Sequence, residues 1–318
     1  MTGDDMWVVR KLVRLVVVVF AVSVLTFLLT SLLPGSPVND ILGPRATDPV
    51  VSAQVRHDLH LGDPLPVRYI HWADGVLHGN FGRAYNDNEK VTDIIKQRLP
   101  VTLELLVAAQ LLALAVAIPL ALVSAYRADS GVDRLITATS FGMLSIPDFV
   151  VAIVLVFIFA VRARWLPATG YVHLTDSVTG NLRSIALPTI ALALGLSAVY
   201  TRLLRSDLIA TLQEEYILMA RAQGLPTRRI MLRHALRPSS FSLLTVLGIN
   251  TGALIGGTVI VEYLFALPGM GFRLIDAIGR REYIIVQGLV LVIAVGYVLA
   301  NFVVDVLYGI VDPRVRHA

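Results

Sequence analysis

The 318-residue chain has no cysteine, which excludes disulfides, thiolate nucleophiles and cysteine metal sites. Charge is sparse as well: Asp, Glu, Lys and Arg make up 16% of the residues, against about 25% in a soluble domain. Lysine occurs only at Lys11, Lys90 and Lys96, and the dipeptide Gly-Lys does not occur. There is therefore no GxxxxGK[ST] loop to cradle nucleotide phosphates, and an ATP-driven activity would need ATP handled by another chain. No HExxH motif supports metal-assisted hydrolysis, and no acid–histidine relay suits a proton-driven carrier. The net charge of +4 comes without a basic–aromatic face, so nucleic acid is not an expected partner.

Apolar residues fill the space that charge leaves. They make up 56% of the chain, with a mean hydropathy of +0.72, and these values define a membrane protein. About 20 apolar residues cross a hydrocarbon core of roughly 30 Å. Six runs approach that length: Leu12–Leu33, Val101–Ala125, Leu135–Val161, Leu187–Thr201, Phe241–Val261 and Ile284–Tyr308. The first exceeds the roughly 7–15 residues of a signal-peptide core and ends in PGSP, which makes it an uncleaved span. The third contains Pro147, expected to remove one hydrogen bond from a continuous helix. The fourth is short, and Arg202 and Arg205 after it are expected to snorkel into water. The expected fold is all-α and polytopic with six transmembrane helices. Residues 1–33 form the N-terminus and first span, 34–99 an extracytoplasmic loop region of turns and short helices, and 100–318 a core of five spans.

Lysine and arginine divide almost evenly between the two sides, 14 against 13. Seven of the 13 lie in the first outer loop, however, which is long enough for the positive-inside rule to lose force. Among short loops the bias places both termini, and the polar stretch before the fifth span, in the cytoplasm.

Several motifs are candidates for chemistry. His57 and His60 could share a helix face and hold a metal, although a solvated surface loop is the plainer reading. Gly269-Met270-Gly271 lacks the βαβ context and the third glycine of a dinucleotide loop, where Leu274 stands. Gly248, Gly252 and Gly256 make two small-xxx-small steps, suited either to packing within the chain or to the seam with a second subunit. Polar residues inside spans are few: Glu104, Asp148, Asn250 and Asp305. Glu104 and Asp305 lie near span ends, whereas Asp148 beside Pro147 is the deepest and is a candidate for the pathway.

The most polar interval of the C-terminal two thirds is Glu214–Pro238, EEYILMARAQGLPTRRIMLRHALRP. It reads as two short amphipathic helices broken at Gly224-Leu225-Pro226. Gly224 suits a helix C′ position with positive φ, and Pro226 prevents continuation. The product would be a compact knob with an apolar edge at Tyr216 and Ile217 and a basic flank. That shape fits a helix-in-groove contact; a loop lying on lipid headgroups is the alternative.

YILMARAQG followed by RHALRP resembles the cytoplasmic loop of inner-membrane permeases of binding-protein-dependent ABC importers. The family's glycine falls on Gly224 and its small residue on Ala220, while Leu218-Met219-Ala220 stands where many members have Glu-Ala-Ala. LLPGSP, LGDPLPVRYIHW, FGRAY, QRLPVTLEL, WLPATG, GGTVIVEYLFALPGMGF, REYIIVQG and NFVVDVLYGIVDPR extend the resemblance, in order, to the B permease subunit of dipeptide and oligopeptide systems, with an actinobacterial source expected. The resemblance implies a type I importer: two related permeases as a heterodimer, two ATPase subunits carrying ATP and Mg, and an extracytoplasmic solute-binding protein. This chain itself would bind no cofactor and would not be an enzyme. The loop at 213–238 would couple it to the ATPases through Tyr216, Ile217, Ala220, Arg221, Ala222, Gly224, Arg228 and His234. The seam or pathway would draw on Gly248, Asn250, Gly252, Gly256 and Asp148. Peptide is the implied solute, with nickel, haem or another small solute open on the same scaffold, and an ion-gradient carrier as the reading from another class.

Overall fold

The structure, a computed structural model, describes residues 3–31, 48–50, 52–53, 62–84 and 88–311. Among these residues every named element is helical, and Arg83 and Lys90 form an isolated antiparallel bridge. The helices are α1 (Gly3–Ser31), α2 (Leu65–Leu77), α3 (Val91–Tyr126), α4 (Gly131–Leu144), α5 (Asp148–Leu155), α6 (Val178–Thr211), α7 (Glu215–Ala222), α8 (Thr227–Leu264), α9 (Met270–Gly279) and α10 (Tyr283–Val311). Of these, α3, α6, α8 and α10 are long and apolar enough to cross a membrane. The pair α4 and α5, with the π-turn Val156–Arg162 that continues α5, makes a fifth candidate, and α1 carries the apolar stretch Leu12–Leu28.

Three expectations about the spans are corrected. Pro147 does not sit inside a continuous helix: α4 and α5 meet at 101°. Proline disfavours the helical region for the residue before it, here Ile146, and Pro147 itself is extended (φ −60°, ψ 143°) as the N-cap of α5. The fourth span begins at Val178 rather than Leu187 and is the most buried of the long helices. Ser177 caps its start by accepting the Gly180 N–H at 3.1 Å. Asn181 in its first turns donates to the Val172 carbonyl at 2.9 Å. The fifth span does not begin at Phe241, nor is there a separate second helix in the polar stretch. Both belong to α8, which runs unbroken from Thr227 and contains a π-turn at Ile230–Ala235 just before Pro238.

Contacts divide the chain into two units, one of residues 1–8, 103–267 and 299–318, the other of residues 9–102 and 268–298. In the first unit, Ala113, Ala117, Ala121 and Ala125 of α3 present a fully buried stripe at every fourth position. Small side chains let helix backbones approach closely in a bilayer. Tyr200, Leu204 and Leu208 of α6 and Ala235 and Leu243 of α8 belong to the same buried cluster. In the second unit, Val91, Ile94, Met270, Ala277, Ile285 and Leu289 form the core. The side chain of Thr102 accepts from the Met270 N–H at 2.9 Å, and Phe27, Tyr69 and Trp72 meet edge-on or tilted with ring centroids 5.5–6.0 Å apart. Between α8 and α10 the chain is ordered by α9. Arg273 of α9 is ion-paired with Glu282 at 2.8 Å, with both side chains largely buried.

Candidate functional site

The polar stretch folds as one helix, a glycine corner and the start of α8. Helix α7 ends as a Schellman motif: the Leu225 N–H donates to the Ala220 carbonyl at 3.2 Å and the Gly224 N–H to the Arg221 carbonyl at 2.9 Å. Gly224 is left-handed there, at φ +76°. A Cβ built on it would meet nothing within 4 Å, so the requirement for glycine is conformational rather than spatial. Pro226 then caps α8 with φ −65° and ψ 141°. Ile217 and Ala220 of α7 and Ile230 of α8 close into a small buried cluster against which Leu212 and Leu225 pack.

This packing changes the expected docking edge. Ile217 is 0% exposed and Ala220 7%, so these two hold the corner shut. The apolar surface α7 presents outward is Tyr216 (46% exposed), Leu218 (54%) and Met219 (64%). Arg221, Ala222 and Arg228 are also exposed, and His234 is half-buried. The Tyr216 hydroxyl donates to the His234 carbonyl at 3.4 Å. Desolvation, then the Glu214 carboxylate, hold its phenol above the ordinary tyrosine range.

The candidates in the spans do not gather at one point. Gly248 and Gly252 are buried within this chain, whereas Gly256 is exposed with nothing within 4 Å of an added Cβ. Asn250 is half-buried. Asp148 begins α5 and faces Gly195 of α6 and Gly257 of α8. The side chain of Asp305 and the residues His57 and His60 lie outside what is described. Among the described residues, no group of three or more His, Asp or Glu side chains could hold a metal ion.

Polar contacts that hydropathy did not single out tie the helices together. Tyr200 donates to Gln110 Oε1 and Gln110 Nε2 donates to Thr251 Oγ1, both at 2.8 Å, joining α6, α3 and α8. Glu104 accepts from the Tyr171 hydroxyl at 2.5 Å. Burial, with Glu104 beside it, pushes that phenol well above its ordinary range. The arginines of α6 do not simply reach for water. Arg205 grips Asp133 of α4 through two bonds of 2.6 Å, and Asp133 also accepts from the Ser124 hydroxyl and from the Asp129 N–H. Arg202 lies 4.0 Å above the Phe141 ring. No periodicity could have paired Asp133 with Arg205, which are 72 residues apart.

Residues 117–317 match the family of binding-protein-dependent transport system inner membrane components, and residues 6–106 match the N-terminal part described for such components. A probable peptide ABC transporter permease of Sinorhizobium fredii is 36% identical over 98% of this chain and 99% of its own length. A di/tripeptide transport system permease of Pseudomonas aeruginosa is 35% identical over 98% of each. A nickel import system permease of Staphylococcus aureus is 36% identical over 96% of this chain and 90% of its own. The chain belongs to the binding-protein-dependent transport system inner membrane component family. It is a multi-pass inner-membrane permease subunit of an ABC importer, not itself an enzyme, in a family that works with ATPase subunits and a solute-binding protein.

Proposed function

We propose that the chain forms one half of the translocation path for di- or oligopeptides, paired with a related second permease, with six crossings of which α1 is the first and both termini cytoplasmic. Two ATPase subunits, which carry ATP and Mg, receive α7 in a groove. Their closure moves α7, and the motion passes into α8 because the Schellman corner fixes one helix on the other. ATP binding thus biases a two-state element, and this chain binds no cofactor. Peptide is favoured over nickel because peptide permeases predominate among the relatives.

The observation that carries the coupling role is the exposure of Tyr216, Leu218 and Met219 on a helix whose own apolar residues, Ile217 and Ala220, are already buried. Replacing Leu218 and Met219 by glutamine tests it, since glutamine keeps a helix propensity close to theirs while removing the apolar surface. Each side chain buried in a partner contributes about 1.5–3 kcal/mol. The double variant should therefore reach the membrane normally, lose the ATPase subunits on purification and lose peptide uptake. Retention of the ATPases with normal uptake would refute the docking role. Uptake of nickel but not of tri-alanine by the wild-type importer would refute the choice of solute.

A further inference from the structure

We infer that Asp148 is the counter-charge of the permeation path, placed to receive the ammonium group of a passing peptide. The inference rests on the peptide-permease reading above and adds the residue and the charge that the path presents.

Asp148 stands at the break between α4 and α5, in what is, among the described residues, the one candidate span that is not a continuous helix. Its carboxylate lies against bare backbone on two sides. A Cβ on Gly195 would come within 2.9 Å of Oδ1, and one on Gly257 within 3.9 Å of Oδ2. The carboxylate opens into a cavity of about 310 Å³ whose walls include Leu196, Val199, Ala253 and Leu254. Among the described residues no hydrogen-bond donor and no cation lies on it. By contrast, Asp133 has Arg205 and Ser124, Glu104 has Tyr171, and Glu282 has Arg273.

Two plainer readings fail on the same geometry. The N-terminus of α5 favours a negative charge, but the helix dipole offsets only a fraction of the cost of an ionised side chain in a membrane-crossing segment. A divalent metal would need several oxygen or nitrogen ligands, and the walls supply one carboxylate among apolar groups. A single unpaired carboxylate in the wall of a cavity otherwise lined by apolar side chains suits a monovalent organic cation with an apolar body, which describes the amino end of a peptide.

The test uses the complete importer with its binding protein in proteoliposomes, and tri-alanine as solute. This chain contains no cysteine, so Asp148→Cys introduces a unique thiol into it. That variant is treated with two water-soluble thiosulfonates of similar size, one leaving a sulfonate and one a trimethylammonium group, with the wild type treated in parallel. Uptake should be at least about tenfold lower with the positive adduct than with the negative one, and Asp148→Asn should also lose about tenfold. Equal uptake with both adducts, or a thiol that reacts with neither reagent in the nucleotide-free and the vanadate-trapped importer, overturns the inference and leaves the permease reading standing. A wild-type importer that takes up nickel but not tri-alanine overturns the peptide reading, and the inference with it.

Discussion

The Tyr216 hydroxyl reaches the carbonyl of His234, four residues before Pro238. Proline has no N–H to return to that carbonyl, and its ring crowds it. The π-turn at Ile230–Ala235 opens the helix at the same place. One residue of α7 therefore supplies a donor to the group that Pro238 leaves without its helical partner, and the corner is closed by a polar strap as well as by the Ile217–Ala220–Ile230 cluster.

Tyr216→Phe removes that strap and keeps the ring. At 3.4 Å and with half the side chain in water, the bond contributes no more than the lower part of the usual net range of about 0.5–1.5 kcal/mol. The chain should fold and assemble normally, with more ATP hydrolysed per solute imported. Measuring both rates in one proteoliposome preparation checks this, and an unchanged ratio would show that the apolar cluster alone transmits the motion.

Gly224 separates conformational from steric cost, because it is left-handed and faces open space. An ordinary L-residue in that region costs about 1–2 kcal/mol, asparagine less, and a β-branched residue most. Uptake should therefore fall in the order Gly, Asn, Ala, Val, with Gly224→Val blocked for transport and for solute-stimulated ATP hydrolysis yet still present in the membrane. If Asn were as damaging as Val, the glycine would be required by contact with a partner rather than by its φ.

Arg205 and Asp133 form the ion pair that joins α6 to α4, with the Asp133 side chain 3% exposed. Removing one partner of such a pair costs about 3–5 kcal/mol, whereas replacing both by apolar residues of similar size is often neutral. Arg205→Ala should lower the melting temperature of the purified importer sharply. Arg205→Lys should lower it less, since charge remains but the two-pronged grip does not. Arg205→Met with Asp133→Leu should recover most of the loss, and a strictly additive double variant would show that the two side chains act independently.

Much of this arrangement was legible in the residues, and the parts that were not share a cause. Composition alone required a membrane protein, and Gly224 with Pro226 required a corner, because both follow from local backbone limits. Local patterns could not show whether Pro147 kinks a helix or ends it, since the outcome depends on what α4 and α5 pack against. The start of α6 was hidden by Asn181 and Ser184, whose polarity reads as loop until their bonds to Val172 and to the Asn181 carbonyl are seen. That α8 runs on through Pro238 was hidden, because nothing nearby reveals a π-turn. The alanine stripe of α3 escaped because alanine raises hydropathy without marking a face. In the corner itself, Tyr216, Ile217 and Ala220 were found together, but which of them face outward was decided by Ile230, across the turn.

Gly256 gives the open question about the glycine stripe a direct test. Gly248 and Gly252 are spent inside the chain, but Ile249, Ala253, Gly256 and Ile260 are all exposed along α8, at the three- and four-residue spacing of one helix face. Two bulky ends with small residues between them form a groove into which a second helix can pack closely, and Ala253 also borders the Asp148 cavity. A Cβ at position 256 meets no atom of this chain within 4 Å, so Gly256→Leu should leave the isolated subunit as stable as the wild type. It should nevertheless fill the groove and cut recovery of the second permease on affinity purification several-fold, while Gly256→Ala should have little effect. Full recovery of the second permease with leucine in place would assign this face to lipid and move the seam to another helix.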